Sequence, residues 1–261
     1  MQTGPKITVA EIRAMKGRGE RIAALTAYDF PMTKLLDEAG IPFLLVGDSL
    51  GMVVLGYPDT THVSLADVEH HLRAAARAKP RALLGADLPF KSYETAGEAS
   101  VNARRLTGAG AEFVKLEGGR EVLPQTQAIL DEGIPVCGHL GMLPQRVLEE
   151  GGYHVKGKKE DERKKLIEDA TALADAGVFA IVLELVTPPV ASEISEKISI
   201  PTIGIGSGDG CDGQILVTHD LVGMFPWFRP RFVQPLADCA GELKSAVEKW
   251  KKTVQMLEKK K

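Results

Sequence analysis

Cysteine is scarce in this chain: three in 261 residues. Cys137, Cys211 and Cys239 are far apart, odd in number and form no C-x-x-C pair. That argues against a disulfide framework or a zinc knuckle. It points to the cytosol, with all three thiols expected as small buried core residues. Long apolar runs are missing too. None approaches the roughly 18 residues that cross a bilayer. Residues 1–6 carry no apolar segment of a secretory signal. Neither sign of charge dominates: Lys plus Arg number 32 and Asp plus Glu 35, a formal charge of −3. Nothing here marks a nucleic-acid binder or a membrane protein. No stretch rich in Pro, Ser or Gly divides the chain, so a single domain over 1–261 is expected.

What the chain does contain is a repeating phrase. Short apolar runs at 22–26, 43–46, 82–86, 113–116, 135–138, 180–185 and 202–205, with a weaker one at 214–217, alternate with longer amphipathic stretches. The runs are continuous rather than alternating, as a parallel sheet covered by helices requires. Helices are predicted over 9–15, 31–39, 64–79, 95–107, 121–132, 162–176, 191–197 and 241–260. Ser64 is placed as an N-cap with Asp67 completing a capping box. Gly40, Gly108, Gly133 and Gly177 mark turns from helix into strand. Roughly eight such units predict a (β/α)8 TIM barrel with a helix added at each end. A doubly wound sheet would open on a glycine-rich turn; the first strand here runs instead into Thr26-Ala27-Tyr28-Asp29.

In such a barrel chemistry sits at the carboxyl ends of the strands. Five successive apolar runs end in Asp48-Ser49, Asp87, Glu117, His139 and Glu184. Each has a bland explanation alone: an Asp after a strand often caps a helix, a lone His is usually a core residue, and a strand Lys can snorkel to solvent. The recurrence outweighs these. Lys115 and Glu117, two apart, share a strand face, and a buried Lys needs a carboxylate. Three carboxylates in one pocket demand a cation, and hard oxygen donors without a Cys or His cluster suit Mg²⁺ better than zinc. A 2-oxo acid would chelate such an ion, which would polarise its keto group and stabilise an enolate. Glu184 could remove the α-proton, its pKa raised by burial in an apolar strand end.

Several segments carry a specific likeness: Leu45-Val46-Gly47-Asp48-Ser49-Leu50-Gly51-Met52, Ala86-Asp87-Leu88-Pro89-Phe90, Val114-Lys115-Leu116-Glu117-Gly118-Gly119, Val136-Cys137-Gly138-His139-Leu140-Gly141 and Asp212-Gly213-Gln214-Ile215-Leu216-Val217. On these, the chain resembles the ketopantoate hydroxymethyltransferase family over nearly its whole length. The resemblance implies a barrel of the phosphoenolpyruvate/pyruvate type, assembled as a decamer of two pentameric rings in the cytoplasm. It implies transfer of a hydroxymethyl group from 5,10-methylenetetrahydrofolate to 3-methyl-2-oxobutanoate, giving 2-dehydropantoate for pantothenate biosynthesis. Carried over by position, Asp48 and Asp87 are Mg²⁺ ligands, with Glu117 completing the site directly or through water. Asp48, Ser49, Asp87 and Lys115 contact the oxo acid, His139 lines the same pocket, and Glu184 accepts the C3 proton. Ser207, His62 and Leu143 depart from the expected Ala, Pro and Thr, and the chain ends in Lys259-Lys260-Lys261 rather than an acidic and aromatic tail. Two competing readings are a Mg²⁺-dependent carbon–carbon lyase or mutase on another 2-oxo acid and a non-catalytic barrel. The first wants a catalytic Cys in a rim loop, for which Cys211, in a segment read as a turn, is the candidate. The second leaves four rim carboxylates without a role.

Overall fold

The computed structural model describes residues 4–257. Eight strands, β1 (Ile22–Thr26), β2 (Phe43–Val46), β3 (Leu83–Asp87), β4 (Phe113–Glu117), β5 (Val136–Gly141), β6 (Ala180–Glu184), β7 (Thr202–Ile205) and β8 (Gly213–Leu216), close into a barrel in chain order. The paired neighbours run parallel, in registers that set Asp87 beside Lys115, Glu117 beside His139 and Gly141 beside Glu184. Boundaries differ from the sequence expectation mainly at the carboxyl ends. Asp87 and Glu117 are the last residues of their strands rather than the first beyond them, and β5 runs three residues longer, taking in His139.

Helices α1 (Val9–Arg18), α2 (Phe30–Glu38), α3 (Leu50–Val53), α4 (Leu65–Ala76), α5 (Ala96–Ala109), α6 (Leu123–Asp131), α7 (Glu160–Ala176) and α8 (Pro188–Lys197) fall between or before the strands. The Ser64–Asp67 capping box on α4 forms as expected. A second box, Thr95 with Glu98, opens α5, and that helix closes on Gly110 at φ +117° rather than on Gly108. α8 starts three residues early because Pro188 and Pro189 sit in its first turn, where a missing N–H costs nothing. The chain departs from eight regular units between β7 and β8. Residues 206–212 join them with no helix, and Thr202 N and Oγ1 donate to Asp212 Oδ2 at 2.8 and 3.0 Å, drawing the chain back to the foot of β7.

Alternate strand residues face the barrel interior. At its amino end Phe43, Phe113 and Phe179 pack ring against ring, with centroids 4.8, 5.2 and 6.3 Å apart, beside Ile22, Leu83, Ile203 and Ile12 of α1. Gly85 makes room for them; a Cβ there would stand 2.2 Å from the Phe113 ring.

The chain divides into two compact units, Met1–Ile215 and Leu216–Lys261. The second holds α9 (Thr218–Leu221) and α10 (Cys239–Gln255), tied by Leu236 N donating to Leu221 O and Cys239 N to Val222 O. On α10, Leu243, Val247, Trp250 and Val254 are exposed and fall on one face by their spacing. The helix expected to reach 260 ends at Gln255, and Lys259-Lys260-Lys261 lie outside the described residues. Cys137 and Cys211 are buried, but Cys239, at the exposed start of α10, is only half-buried, which corrects the expectation of three core thiols. Among the described residues no helix is long and apolar enough to cross a membrane.

Candidate active site

At the carboxyl end of β2 the chain turns through Gly47, and Asp48 N donates to Asp87 Oδ2 at 3.0 Å, stitching the ends of β2 and β3 together. Ser49 Oγ lies 2.8 Å from the hydroxyl of Tyr28, just beyond β1. Asp87 Oδ1 pairs with Lys115 Nζ at 2.8 Å, the two residues being register neighbours on β3 and β4. Lys115 Nζ is 3.4 Å from His139 Nδ1. The imidazole then spans two acids, with Nδ1 3.4 Å from Glu117 Oε1 and Nε2 3.3 Å from Glu184 Oε2. The structure thus gathers Asp48, Ser49, Asp87, Lys115, Glu117, His139 and Glu184 at one end of the barrel. Lys115 and Glu117 face inward together, as their spacing predicts. One expectation is corrected: Glu184 is not sealed in apolar surroundings, since its side chain keeps 14% of its surface.

Charge crowding sets the protonation of this group. Burial, then the charges of Asp87 and Glu117, push the Asp48 carboxyl well above the usual carboxylate range. Burial works against the Lys115 ammonium, but Asp87, Glu117 and Asp48 outweigh it and raise its pKa. For His139, burial and Lys115 oppose protonation, while Glu117 and Glu184 overcome them and hold its pKa at about 9.

The donor set fits a hard divalent cation. Glu117 Oε1 is buried and makes no well-aligned hydrogen bond, and Asp87 Oδ1 has only its ion pair with Lys115. Four carboxylates exceed the two cations facing them. Among the described residues no three His, Cys, Asp or Glu side chains form a ready-made metal cage. Mg²⁺ does not need one: it typically takes one or two carboxylates and keeps positions for water and substrate.

A buried and a half-buried residue of this end, Gln145 and Tyr93, escaped sequence reasoning. Gln145 Nε2 donates to Asp48 Oδ2 at 2.8 Å, and Tyr93 Oη donates to Gln145 Oε1 at 2.6 Å. Neither lies on a strand, so the rule that reads strand ends passes over both. The positions where the chain departs from the family pattern are structurally accommodated. Ser207 Oγ donates to Leu183 O at 2.7 Å and accepts from Val186 N at 3.0 Å. His62 Nδ1 lies 3.2 Å from Asp59 Oδ1, and Leu143 is buried. Cys211 lies in a turn and is buried, which pushes its thiol pKa up, so it does not supply a rim nucleophile. A cleft of about 420 Å³ bounded by Lys6, Lys79, Pro80 and Glu112 opens at the amino ends of the strands, away from these acids.

A closed parallel barrel with an acid-rich carboxyl rim belongs to the class of (β/α)8 enzymes. Solved structures agree on the fold. A phosphoenolpyruvate phosphomutase from Streptomyces platensis subsp. rosaceus matches with TM-score 0.65 over 95% of this chain and 88% of that one, at 13% identity. A 2,3-dimethylmalate lyase, a member of the PEP mutase/isocitrate lyase superfamily, matches with TM-score 0.61 over 98% and 92%, at 17% identity. The chain belongs to the ketopantoate hydroxymethyltransferase family, which it matches over residues 6–258. The 3-methyl-2-oxobutanoate hydroxymethyltransferase of Ignicoccus hospitalis is 51% identical over 251 residues, 96% of this chain and 95% of that protein. Those of Moorella thermoacetica and Pyrobaculum neutrophilum are 50% identical over 252 residues (96% and 94%) and 52% identical over 241 (92% of each).

Proposed function

We infer that this chain is a 3-methyl-2-oxobutanoate hydroxymethyltransferase, taking its one-carbon unit from 5,10-methylenetetrahydrofolate and forming 2-dehydropantoate for pantothenate biosynthesis. The observation that carries the assignment of residues is the convergence of Asp48, Asp87, Glu117 and Glu184 around Lys115 and His139. Asp48 and Asp87 would hold Mg²⁺, with Glu117 beside them directly or through water. A bound Mg²⁺ supplies Lewis-acid polarisation of the keto group.

The remaining work falls to the chain's own side chains. Lys115 offers a fixed ammonium to the oxo acid's carboxylate or keto oxygen, and Ser49 a hydroxyl. Asp48 and Asp87, at the same rim, position the acid. Glu184, the acid of the group with side-chain surface open to solvent, accepts the C3 proton. The carbon pair left at C3 bonds to the one-carbon unit as its two bonds to the folate nitrogens break; water supplies the hydroxyl, the C3 proton and water's second proton go to those nitrogens, and tetrahydrofolate leaves. His139, lying between Glu117 and Glu184, lines the pocket and holds a positive charge where the acids crowd.

Self-association as a homo-oligomer, on the family pattern a decamer, is supported by the exposed apolar face of α10. A cytoplasmic setting is supported by three unpaired cysteines. The lyase or mutase reading loses its nucleophile with the burial of Cys211.

The test is an assay of tetrahydrofolate formation from 3-methyl-2-oxobutanoate and methylenetetrahydrofolate, with and without EDTA. Turnover that EDTA abolishes and Mg²⁺ restores is expected. Turnover indifferent to EDTA would remove the metal from the mechanism, and no turnover would sink the assignment.

A further inference from the structure

Gln145 lies in the single turn of 3₁₀ helix Pro144–Arg146 that follows β5, is 3% exposed, and touches the ends of three other strands. Its backbone N donates to Glu117 Oε2 at 3.1 Å, at the end of β4. Its side-chain Nε2 donates to Asp48 Oδ2 at 2.8 Å, beyond β2, and to Leu88 O at 3.1 Å, beyond β3. Its Oε1 accepts from Tyr93 Oη at 2.6 Å, and the same phenol oxygen accepts from Glu117 N at 3.4 Å.

These partners leave the amide one orientation. Both Nε2 hydrogens meet acceptors and Oε1 meets a donor, so a flipped amide would set oxygen against oxygen twice. Asp48 is held by Oδ2 and Glu117 by Oε2, while Asp87 is held at both oxygens, Oδ2 by Asp48 N and Oδ1 by Lys115. One residue therefore supplies a donor to two acids that strand geometry alone would leave to repel each other. A carboxylate at 145 would add a like charge facing Asp48, and an aliphatic side chain would strip a buried acid of its donor.

We propose that Gln145, oriented by Tyr93, is the positioning residue that fixes Asp48 and Glu117 for the divalent cation. The inference rests on the metal reading given above. Partners that orient metal ligands are typically worth about 10- to 100-fold in affinity.

The experiment titrates Mn²⁺ into the metal-free full-length protein and reads free Mn²⁺ by electron paramagnetic resonance. Gln145→Met is expected to weaken Mn²⁺ binding by about 10-fold or more. Tyr93→Phe, which removes only the phenolic hydroxyl, should weaken it in the same direction by less. A residue that only supports the fold would lower the melting temperature of the metal-free protein and leave the Mn²⁺ affinity of the folded fraction untouched. A folded Gln145→Met protein that binds Mn²⁺ within twofold of wild type overturns the proposal. Should that variant not fold, wild-type affinity in Tyr93→Phe does the same. Absence of Mn²⁺ binding by the wild-type protein overturns the metal reading itself, and this inference with it.

Discussion

Burying an ammonium group costs several kcal/mol unless acids surround it, and Lys115, 5% exposed, has Asp87 at 2.8 Å. That places a fixed positive charge where an oxo acid would bind. Lys115→Ala should weaken binding of 3-methyl-2-oxobutanoate by roughly tenfold or more, the size of a hydrogen bond to a charged group; an unaltered dissociation constant by calorimetry would refute its role as a contact. Glu184→Gln keeps shape and hydrogen bonding but cannot take a proton. It should stop deuterium exchange at C3 of the oxo acid, followed by NMR, while binding persists; exchange at the wild-type rate would disqualify Glu184 as the base. The acids and the lysine were legible because strand polarity and i, i+2 spacing are local rules. Gln145 and Tyr93 were not, since their roles exist only once β2, β3, β4 and the turn after β5 meet. Half-burial of Glu184 was invisible for the same reason: apolar neighbours in sequence do not say how the mouth is shaped.

Among the elements, β5 binds its neighbours through a glycine. Gly141 stands at φ +101°, and a Cβ there would come 2.1 Å from Glu184 O, the atom that accepts from Met142 N at 2.8 Å. Both the left-handed backbone and the close approach need the missing side chain. Gly141→Ala should therefore destabilise the protein by about 1–3 kcal/mol and lower turnover, because the carbonyl it displaces belongs to the proposed base. Urea unfolding and the same folate assay check both; wild-type stability would mean that the turn relaxes freely. Sequence pattern located every strand to within a few residues, since continuous apolar runs and glycine turns are strong local signals. It missed the short helices α3 and α9, whose four residues carry no period. It placed no helix between the last two strands, and residues 206–212 pass without one. The shift of the α5 cap from Gly108 to Gly110 shows the limit of glycine as punctuation: a helix tolerates Gly at a modest cost, and only geometry decides which one turns left-handed.

For the molecule as a whole, α10 carries the clearest demand for company. Leu243, Val247, Trp250 and Val254 leave an apolar stripe in water. If copies of the chain cover it, replacing Val247 and Trp250 with Glu should shift sedimentation to smaller species while leaving each chain folded; an unchanged sedimentation coefficient would assign the stripe another role. The near-zero net charge, which said little about partners, conceals a local concentration of acids at one end of the barrel. At the opposite end the buried rings of Phe43, Phe113 and Phe179 pack into one cluster. On the proposed reading, with aromatic rings filling the far end, the oxo acid and the folate would both come to the carboxylates from the same rim.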